Sequence, residues 1–494
     1  MNSAWERLLA RLRELEDLSV ALRLLHWDQQ VLMPPAGAAA RARAIGSLES
    51  AAHRLLAAPE TGALLEELRS QGSLDATQCA SVRVLTRDYE QATKVPEELV
   101  RDLAEVRGHC YQAWTEARPA SDFRLLQPEL ERLVGLKKQE ADALGWEGER
   151  YDALLDQYEA GTTTADVAAM FDELVSGLRG LVEPVEKRMP EPADFLLAPY
   201  DERQQKALCN WLVEQLGFDT SAGRLDTSPH PFTMHVSAGD VRQTTRTESP
   251  GVLGAIYAAI HETGHALYDQ GIPEDFVGLP VGRVPSLGMH ESQSRLWENQ
   301  VGRSRSFTDF LLPQLKERFP EQVGMTAPED FYRGVNRVGR TMIRVNADEL
   351  TYNLHVALRF ELELALFRDE LEVAELPGAW NDAMERHLGV RPQSDADGVL
   401  QDMHWSIGAF GYFPTYTIGN LYAAALHARL ALDLDGLDGE IRAGDTSRVL
   451  GWLRENVHQH GYLYEAGDLM TKVVGETVTA KPLLTYLERK YSEL

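Results

Sequence analysis

The sequence predicts a mainly α-helical protein, built as one large body with a central groove and a small β-hairpin. Apolar residues recur at spacings of three and four through most of the 494 residues, the period of a helix with one buried face. The exception to this helical spacing is two short runs near the middle of the chain, in which apolar and polar residues alternate. No repeat of fixed period and no long Gly-, Pro- or Ser-rich linker divides the chain. Residues 1–494 are therefore predicted to form a single domain.

The first predicted helix covers residues 4–33 and ends at Pro34 and Pro35, because a helix interior does not tolerate proline. Its apolar stripe consists of Leu8, Leu9, Leu12, Leu15, Leu18, Leu22 and Leu25. The same periodicity predicts helices over residues 38–70, 74–92, 96–118, 124–142, 163–188, 201–216, 250–270, 286–302, 309–318, 327–373, 377–388, 415–434 and 446–459.

The predicted hairpin consists of strands over residues 230–237 and 240–246. Ala238 and Gly239 supply the turn, where glycine adopts a positive φ without steric cost. An exposed edge of this hairpin would bind an extended peptide through main-chain hydrogen bonds, whatever its side chains.

Composition excludes several classes of protein. The formal net charge of −27 disfavours binding to nucleic acid or to an anionic membrane surface, and no run of about 18 apolar residues predicts a spanning helix. No two of the three cysteines, Cys79, Cys110 and Cys209, have the spacing of a CxxC motif. Neither a disulfide framework nor a thiolate metal site is therefore expected. The N-terminal residues lack the basic start and apolar centre of a secretory signal, which predicts a cytoplasmic protein.

The helix predicted over residues 250–270 has clear boundary signals. Ser249 suits its N-cap, Pro250 its first position and Gly271 the residue beyond its end. This helix carries the most informative motif in the chain.

That motif is HExxH. His261 and His265 are four residues apart, so both imidazoles project from one face and can bind one ion. Glu262 lies to the side of the pair, where its carboxylate can act on a water molecule without binding the metal. The pattern predicts a hydrolytic metal site. Its metzincin extension is absent, since Tyr268 and Gly271 stand where that class has Gly and His.

A hydrolytic zinc site has three protein ligands and one open position, so a third ligand is required. The next predicted helix offers Glu291, Glu298 and His290. Glu291 and Glu298 are two turns apart on nearly one face, and spacing alone leaves all three residues open.

HExxH followed by His-Glu-Ser-Gln-Ser-Arg closely resembles the carboxypeptidase Taq family, metallopeptidase family M32. The resemblance implies a zincin-type helical body, a metal deep in the groove and Glu291 as the third ligand. It also implies removal of C-terminal residues one at a time with broad specificity, and a homodimer. The matching motifs are His26-Trp27-Asp28, Met33-Pro34-Pro35, His230-Pro231-Phe232, Asp240-Val-Arg242-Gln-Thr244, Ile343-Arg344-Val-Asn-Ala347-Asp348, Gly398-Val-Leu-Gln401-Asp402-Met-His404-Trp405 and Phe410-Gly-Tyr412-Phe-Pro-Thr-Tyr416.

One position departs from related zincins, which often carry an Asp four residues after the ligand Glu. Arg295 stands there, so the carboxylate that orients a ligand imidazole is expected elsewhere in the chain. Asp348 and Asp402 are the candidates.

Residue types suggest the remaining roles in peptide hydrolysis. Glu262 would accept the proton of the attacking water and deliver it to the leaving amine. His404, Tyr412 and Tyr416 are the candidate donors to the oxyanion, and sequence does not choose among them. The cofactor is expected to be one divalent metal, zinc or, with equally suitable geometry, cobalt.

The substrate is expected to be a peptide with a free C-terminus, whose carboxylate an arginine fork would match. Residues 240–350 carry a net charge of only −3, so this segment is relatively basic. Arg344 is the first candidate and Arg242 the second, and His230 of the His-Pro-Phe motif is a further candidate substrate-binding residue. An endo-acting oligopeptidase and a non-catalytic metal-binding scaffold are the alternatives, although a scaffold has no use for Glu262.

Overall fold

A computed structural model describes residues 3–247 and 250–494. Within them the mainly α fold is confirmed, with short 3₁₀ turns linking many of the helices. The helices are α1 (Ala4–Val31), α2 (Ala38–Leu56), α3 (Pro59–Arg69), α4 (Ala76–Lys94), α5 (Glu97–Ala120), α6 (Gln127–Leu144), α7 (Arg150–Leu155), α8 (Thr164–Glu186), α9 (Glu202–Gln215), α10 (Leu253–Asp269), α11 (Leu287–Arg295), α12 (Arg305–Arg318), α13 (Pro320–Val323), α14 (Pro328–Val335), α15 (Tyr352–Phe367), α16 (Leu376–Leu388), α17 (Pro414–Asp433), α18 (Leu437–Arg442), α19 (Ser447–Asn456), α20 (Ala466–Val474) and α21 (Lys481–Ser492).

The apolar stripe of α1 divides into two parts. Leu8 and Leu12 are buried in a small core that α1 shares with α3 and α4. Leu15 and Leu22, farther along, are half-buried and line a cavity of about 930 Å³. This cavity fits the predicted central groove.

Two larger hydrophobic clusters form the body of the protein. One is built mainly from α5–α8, α15, α16 and α21, and the other from α9–α12, α19 and α20. Helix α17 contributes Ile418 and Leu421 to the first cluster and Ala423 and Leu426 to the second. Its position between the clusters places α17 behind α11.

Several of the predicted helices have different bounds in the structure. The segment 38–70 divides into α2 and α3, because Pro59 starts a new helix. Helix α10 begins at Leu253 and not at Pro250, since Gly251 has a φ of +99°, outside the helical region. The predicted cap Ser249 lies outside the described residues.

The segment predicted as one helix over residues 327–373 is interrupted between α14 and α15. The side chain of Asp348 accepts hydrogen bonds from the backbone N–H groups of Gly339, Leu350 and Thr351. These local bonds stabilise a non-helical backbone, as short acidic side chains commonly do.

The predicted hairpin is confirmed as strands β2 (Thr233–Ser237) and β3 (Asp240–Thr245), and Gly239 takes a φ of +71° in the turn. Strand β1 (Gly223–Thr227) was not predicted and pairs parallel to β3, giving the order β1-β3-β2. Among the described residues, no helix is both long and apolar enough to cross a bilayer.

Helices α10 and α11 approach closely at Gly264. A Cβ at this position would lie 2.6 Å from Ser294 Cα and 2.7 Å from Gln293 O, which are backbone atoms of α11. Since real Cβ atoms do not occupy such positions, only glycine allows the two helices to meet here.

We expect Gly264→Ala to lower the free energy of unfolding by about 1–3 kcal/mol, because the added methyl group forces the helices apart. Gly180→Ala is the matched control, since Gly180 lies in α8 with nothing within 4 Å of its added Cβ. That change should be neutral or stabilising by about 0.5–1 kcal/mol. Denaturant unfolding of both variants provides the measurement, and equal stabilities would refute the close-approach argument.

Candidate metal centre and active site

Three side chains from α10 and α11 converge at the inner face of these helices. Ligand atoms of His261, His265 and Glu291 all lie within 4.8 Å of one another. Glu291 Oε2 is 3.6 Å from His261 Nε2 and 3.4 Å from His265 Nε2. Two imidazole nitrogens and one carboxylate oxygen therefore face a common point.

Local structure fixes the position of Glu291 on α11. Ser286 caps the helix, its hydroxyl accepting from Met289 N–H at 3.0 Å. Gly419 of α17 lies against Glu291, and a Cβ there would be 2.6 Å from Glu291 Cγ. The glycines at 264 and 419 thus let two neighbouring helices close around one carboxylate.

The protonation states of these groups suit a divalent cation. Burial alone would raise the pKa of Glu291, but Arg295, His261 and His265 hold it well below its usual range. Arg295 Nε donates to Glu291 Oε1 at 2.6 Å. Burial and the neighbouring His290 lower the pKa of His265 to about 4, so its imidazole is neutral. Burial lowers the pKa of His261, but Glu291 and Glu298 outweigh burial and raise it above its usual value. An ionised carboxylate and neutral imidazoles are the ligands of a hydrolytic zinc site, so His261 would release any proton on binding an ion.

Glu298 is the carboxylate that orients His261. Its Oε2 lies 2.9 Å from His261 Nδ1, which leaves Nε2 facing Glu291. The expectation that Asp348 or Asp402 does this is wrong. Asp348 is bonded to the backbone around α15, and Asp402 pairs with two arginines.

His290, the other candidate ligand, forms its hydrogen bond with a residue outside the cluster of three ligands. Its Nε2 lies 3.1 Å from Asp269 Oδ1, and its ring stacks on that of His265 at a centroid distance of 4.3 Å. His290 therefore packs behind a ligand imidazole.

Strand β2 positions Glu262. The hydroxyl of Thr233 donates to Glu262 Oε2 at 2.7 Å, and no donor among the described residues contacts Oε1. Burial raises the pKa of Glu262 above its usual value. Thr233 and His290 both line the 930 Å³ cavity, so the cavity borders residues that contact Glu262 and His265.

A second cluster surrounds Arg344. The Arg344 Nη2 donates to Asp402 Oδ1 at 2.7 Å, and Nη1 donates to the Tyr352 hydroxyl at 3.0 Å. Arg359 contacts the other oxygen of Asp402 at 2.6 Å. Asp402 thus holds Arg344 in place while itself fully paired.

His404, Tyr412 and Tyr416 belong to this second cluster. The Tyr416 hydroxyl lies 3.2 Å from His404 Nε2, and its ring lies 5.3 Å from that of Tyr412. Burial lowers the pKa of His404 to about 4, so this imidazole is neutral. His404 Nδ1 is buried without a hydrogen bond among the described residues.

Tyr352 connects the two clusters. The guanidinium of Arg295, which binds Glu291, lies 4.3 Å from the centre of the Tyr352 ring. The Tyr352 hydroxyl accepts from Arg344, whose guanidinium lies 4.9 Å from the Tyr416 ring. The negative charge of Glu291 adds to burial in raising the pKa of Tyr412 to about 12. The two clusters therefore form one site.

Arg242 and His230 make their contacts elsewhere. Arg242 pairs with Asp240 at 2.8 Å and lies 4.5 Å from the Trp27 ring. The side chain of His230 is exposed, and its carbonyl accepts from the Ser228 hydroxyl at 2.7 Å. Both substrate-binding roles stay predictions.

Sequence reasoning missed Thr233 and Tyr352, and it considered Glu298 only as a possible metal ligand. Thr233 lies in the predicted hairpin, but which strand residue faces α10 depends on tertiary packing. The role of Glu298 could have been predicted from its spacing. Two carboxylates two turns apart on one helix, such as Glu291 and Glu298, can contact the same imidazole from different sides.

Known proteins provide an independent comparison. A family model described as Carboxypeptidase Taq (M32) metallopeptidase matches residues 7–491. The chain is 40% identical to thermostable carboxypeptidase 1 of Thermus thermophilus over 506 residues, covering 100% of this chain and 99% of that protein. It is 36% identical to carboxypeptidase 1 of Bacillus subtilis over 485 residues, covering 98% and 97%.

A solved structure leads to the same family. The crystal structure of the M32 carboxypeptidase from Deinococcus radiodurans R1 matches with a TM-score of 0.97 at 40% identity, covering 100% of this chain and 99% of that chain. The family predicted from the sequence motifs is confirmed.

We expect Glu298→Gln to weaken metal binding by about 10–100-fold, because the His261 imidazole loses the carboxylate that orients it. Asp402→Asn is the comparison variant, since Asp402 contacts Arg344 and Arg359 and no metal ligand. Its metal affinity should stay within about twofold of the parent. Chelator competition measures both constants, and equal losses in the two variants would refute the assignment of Glu298.

Proposed function

The chain belongs to the carboxypeptidase Taq (M32) family of metallopeptidases and is a metal-dependent carboxypeptidase, and from this premise we propose the roles of its site residues. His261, His265 and Glu291 bind the divalent ion, and Glu262 is the general base. The observation that supports this assignment most directly is the convergence of the three ligand atoms within 4.8 Å.

We propose zinc as the ion, because two imidazoles and one carboxylate are typical of catalytic zinc; cobalt suits the same geometry. When bound, the ion polarises the scissile carbonyl and lowers the pKa of a water molecule. Glu298 keeps the His261 imidazole in the orientation that presents Nε2 to the ion.

Glu262 moves the proton. The hydrogen bond from Thr233 fixes Oε2, which leaves Oε1 to accept a proton from the attacking water and to pass it to the leaving amine. Burial raises the pKa of Glu262, which makes its carboxylate a better acceptor for the proton of the attacking water.

The candidate donors to the oxyanion of the tetrahedral intermediate are His404, Tyr412 and Tyr416. Buried neutral N–H and O–H donors are effective in this role because they are oriented before reaction. His404 Nε2 lies 3.2 Å from the Tyr416 hydroxyl, and Nδ1, on the other side of the imidazole, lies 3.8 Å from Asp402 Oδ1. The choice among the three donors stays open.

Arg344 binds the C-terminal carboxylate of the peptide. Of its five N–H groups, Asp402 and Tyr352 accept from three, which leaves two for a ligand. Asp402 and Tyr352 also restrict the guanidinium to one orientation. Arg242 and His230 are secondary candidates that rest on the family motifs alone.

The substrates we propose are peptides with a free C-terminus, from which C-terminal residues are removed with broad specificity. Main-chain pairing with edge strand β2 would tolerate many sequences. Part of that edge is already used, since Arg23 of α1 donates to Val236 O at 2.9 Å. A single domain over residues 1–494, a homodimer and a cytoplasmic location stay predictions.

The alternatives from sequence, an endo-acting oligopeptidase and a non-catalytic scaffold, are not favoured. The curated relatives are named carboxypeptidases and match over nearly their whole lengths.

We expect Glu262→Gln to lower kcat by about 10²–10⁴-fold while the metal content is unchanged, because the amide cannot accept the proton and does not contact the ion. Glu317→Gln, at an exposed position of α12, is the matched control. Elemental analysis for zinc and cobalt beside hydrolysis of an N-blocked peptide gives both quantities. Full activity in Glu262→Gln, or loss of its metal, contradicts the proposed role.

We expect Arg344→Lys to lower kcat/KM for a free-acid peptide by about 10–100-fold, since lysine cannot form a bidentate contact with the terminal carboxylate. The same peptide with a C-terminal amide should be a poor substrate for both enzymes and should hardly distinguish them. Arg391→Lys, at an exposed surface ion pair, is the control. An unchanged ratio of acid to amide hydrolysis in Arg344→Lys would rule out Arg344 as the carboxylate-binding residue.

A further inference from the structure

Glu363 is a buried acid that the proposed chemistry does not use. It lies on α15 with 0% of its surface exposed. No cation among the described residues forms an ion pair with it. Since a buried charge without a partner is costly, its retention calls for a physical reason.

Three neutral donors surround the carboxylate of Glu363. Oε2 accepts from the Tyr151 hydroxyl at 2.6 Å and from Gly411 N–H at 3.0 Å, and Oε1 accepts from Trp405 Nε1 at 2.7 Å. An ionised carboxylate is an acceptor only, so it satisfies all three donors at once. Burial raises the pKa of Glu363 to about 7, and these hydrogen bonds oppose that rise.

Two of the donors mark the ends of one segment, residues 404–412, which we name the His404 loop. Trp405 follows His404 directly, and Gly411 precedes Tyr412 directly. One carboxylate therefore holds both ends of a loop whose terminal residues are proposed donors to the oxyanion.

The loop has little freedom to move toward α7. Gly411 has a φ of +87°, and a Cβ there would lie 2.7 Å from the carbonyl carbon of Leu154 and 2.8 Å from Leu155 N. Tyr151, the third donor to Glu363, is on the same short helix α7. Glu363 thus joins α15, α7 and the His404 loop through a single group.

We propose that Glu363 is a positioning residue for hydrolysis, which sets His404 and Tyr412 at the oxyanion by holding the two ends of the His404 loop. The inference rests on the proposed function, because Glu363 acts only through residues given a role there. Misplacing a catalytic group by about 1 Å is enough to cost about 10²-fold in rate.

Glu363→Gln tests this directly. Whichever way the amide is turned, its NH₂ group faces either Trp405 Nε1–H or Gly411 N–H, so one end of the loop loses its acceptor. We expect kcat to fall by about 10–100-fold with KM within about twofold of the parent, because oxyanion donors act in the transition state. Metal content should not change.

A double-mutant cycle separates positioning from general stabilisation. If Glu363 acts through the loop, Glu363→Gln should cost less than about threefold in kcat when His404→Ala and Tyr412→Phe are both already present. A purely structural role would give the same loss in both backgrounds. Glu349→Gln is the control, since the side chain of Glu349 is also largely buried and accepts from Tyr486 at 3.0 Å and Tyr491 at 3.2 Å. Glu349 also pairs with Lys490, and its hydrogen bonds and ion pair among the described residues involve no residue of the His404 loop. It should lower the melting temperature and leave kcat unchanged.

Tyr151→Phe covers the case in which Glu363→Gln fails to fold. It removes one donor to Glu363 without touching the loop, and kcat should fall by about three- to tenfold at constant KM. Unchanged kcat in the folded variants, or equal losses with and without the two substitutions at His404 and Tyr412, overturns the inference. These outcomes are distinct from failure of the proposed function, which Glu262→Gln tests on its own.

Discussion

The charge of Glu291 is the constraint that organises the centre of this protein. A carboxylate buried among helices is destabilising unless cations and donors surround it, and here Arg295 and the Ser294 hydroxyl contact it at 2.6 and 3.0 Å. Two glycines, one on α10 and one on α17, let neighbouring backbones approach the same carboxylate. The result is a rigid acceptor that faces two imidazoles and leaves room for an ion.

Substrate-facing groups are linked to that carboxylate through aromatic rings. Arg295 lies over Tyr352, Tyr352 bonds Arg344, and Arg344 lies beside Tyr416. The guanidinium that we assign to the peptide terminus is therefore positioned by the same structure that holds the metal ligands. If Arg344 binds the terminal carboxylate as proposed, this arrangement would set the distance between that carboxylate and the attacked bond, and so restrict cleavage to the chain end.

How much of this follows from sequence depends on how local each feature is. HExxH on α10 was found because helical spacing determines which side chains share a face. Glu291 on α11 was chosen through the family resemblance, since spacing left Glu298 and His290 equally open. Strand β1 was missed because Gly223–Thr227 contains little apolar alternation, and it is recognisable only through its parallel pairing with β3. The role of Asp402 was predicted wrongly for a related reason: its arginine partners are 58 and 43 residues away along the chain, so no local pattern reveals them.

The backbone just after α11 bears on how this site tolerates changes in chain length. Residues Leu296–Val301 form a π-helical turn, and Gly302 N–H donates to Trp297 O five residues back. Each residue inside such a turn is rotated relative to a regular helix, so the turn determines the direction in which Glu298 points. A one-residue deletion that restored regular α geometry would keep Glu291 in register and swing Glu298 away from His261. Surface loops can change in length without moving the site, whereas this turn must keep its length so that Glu298 stays beside His261.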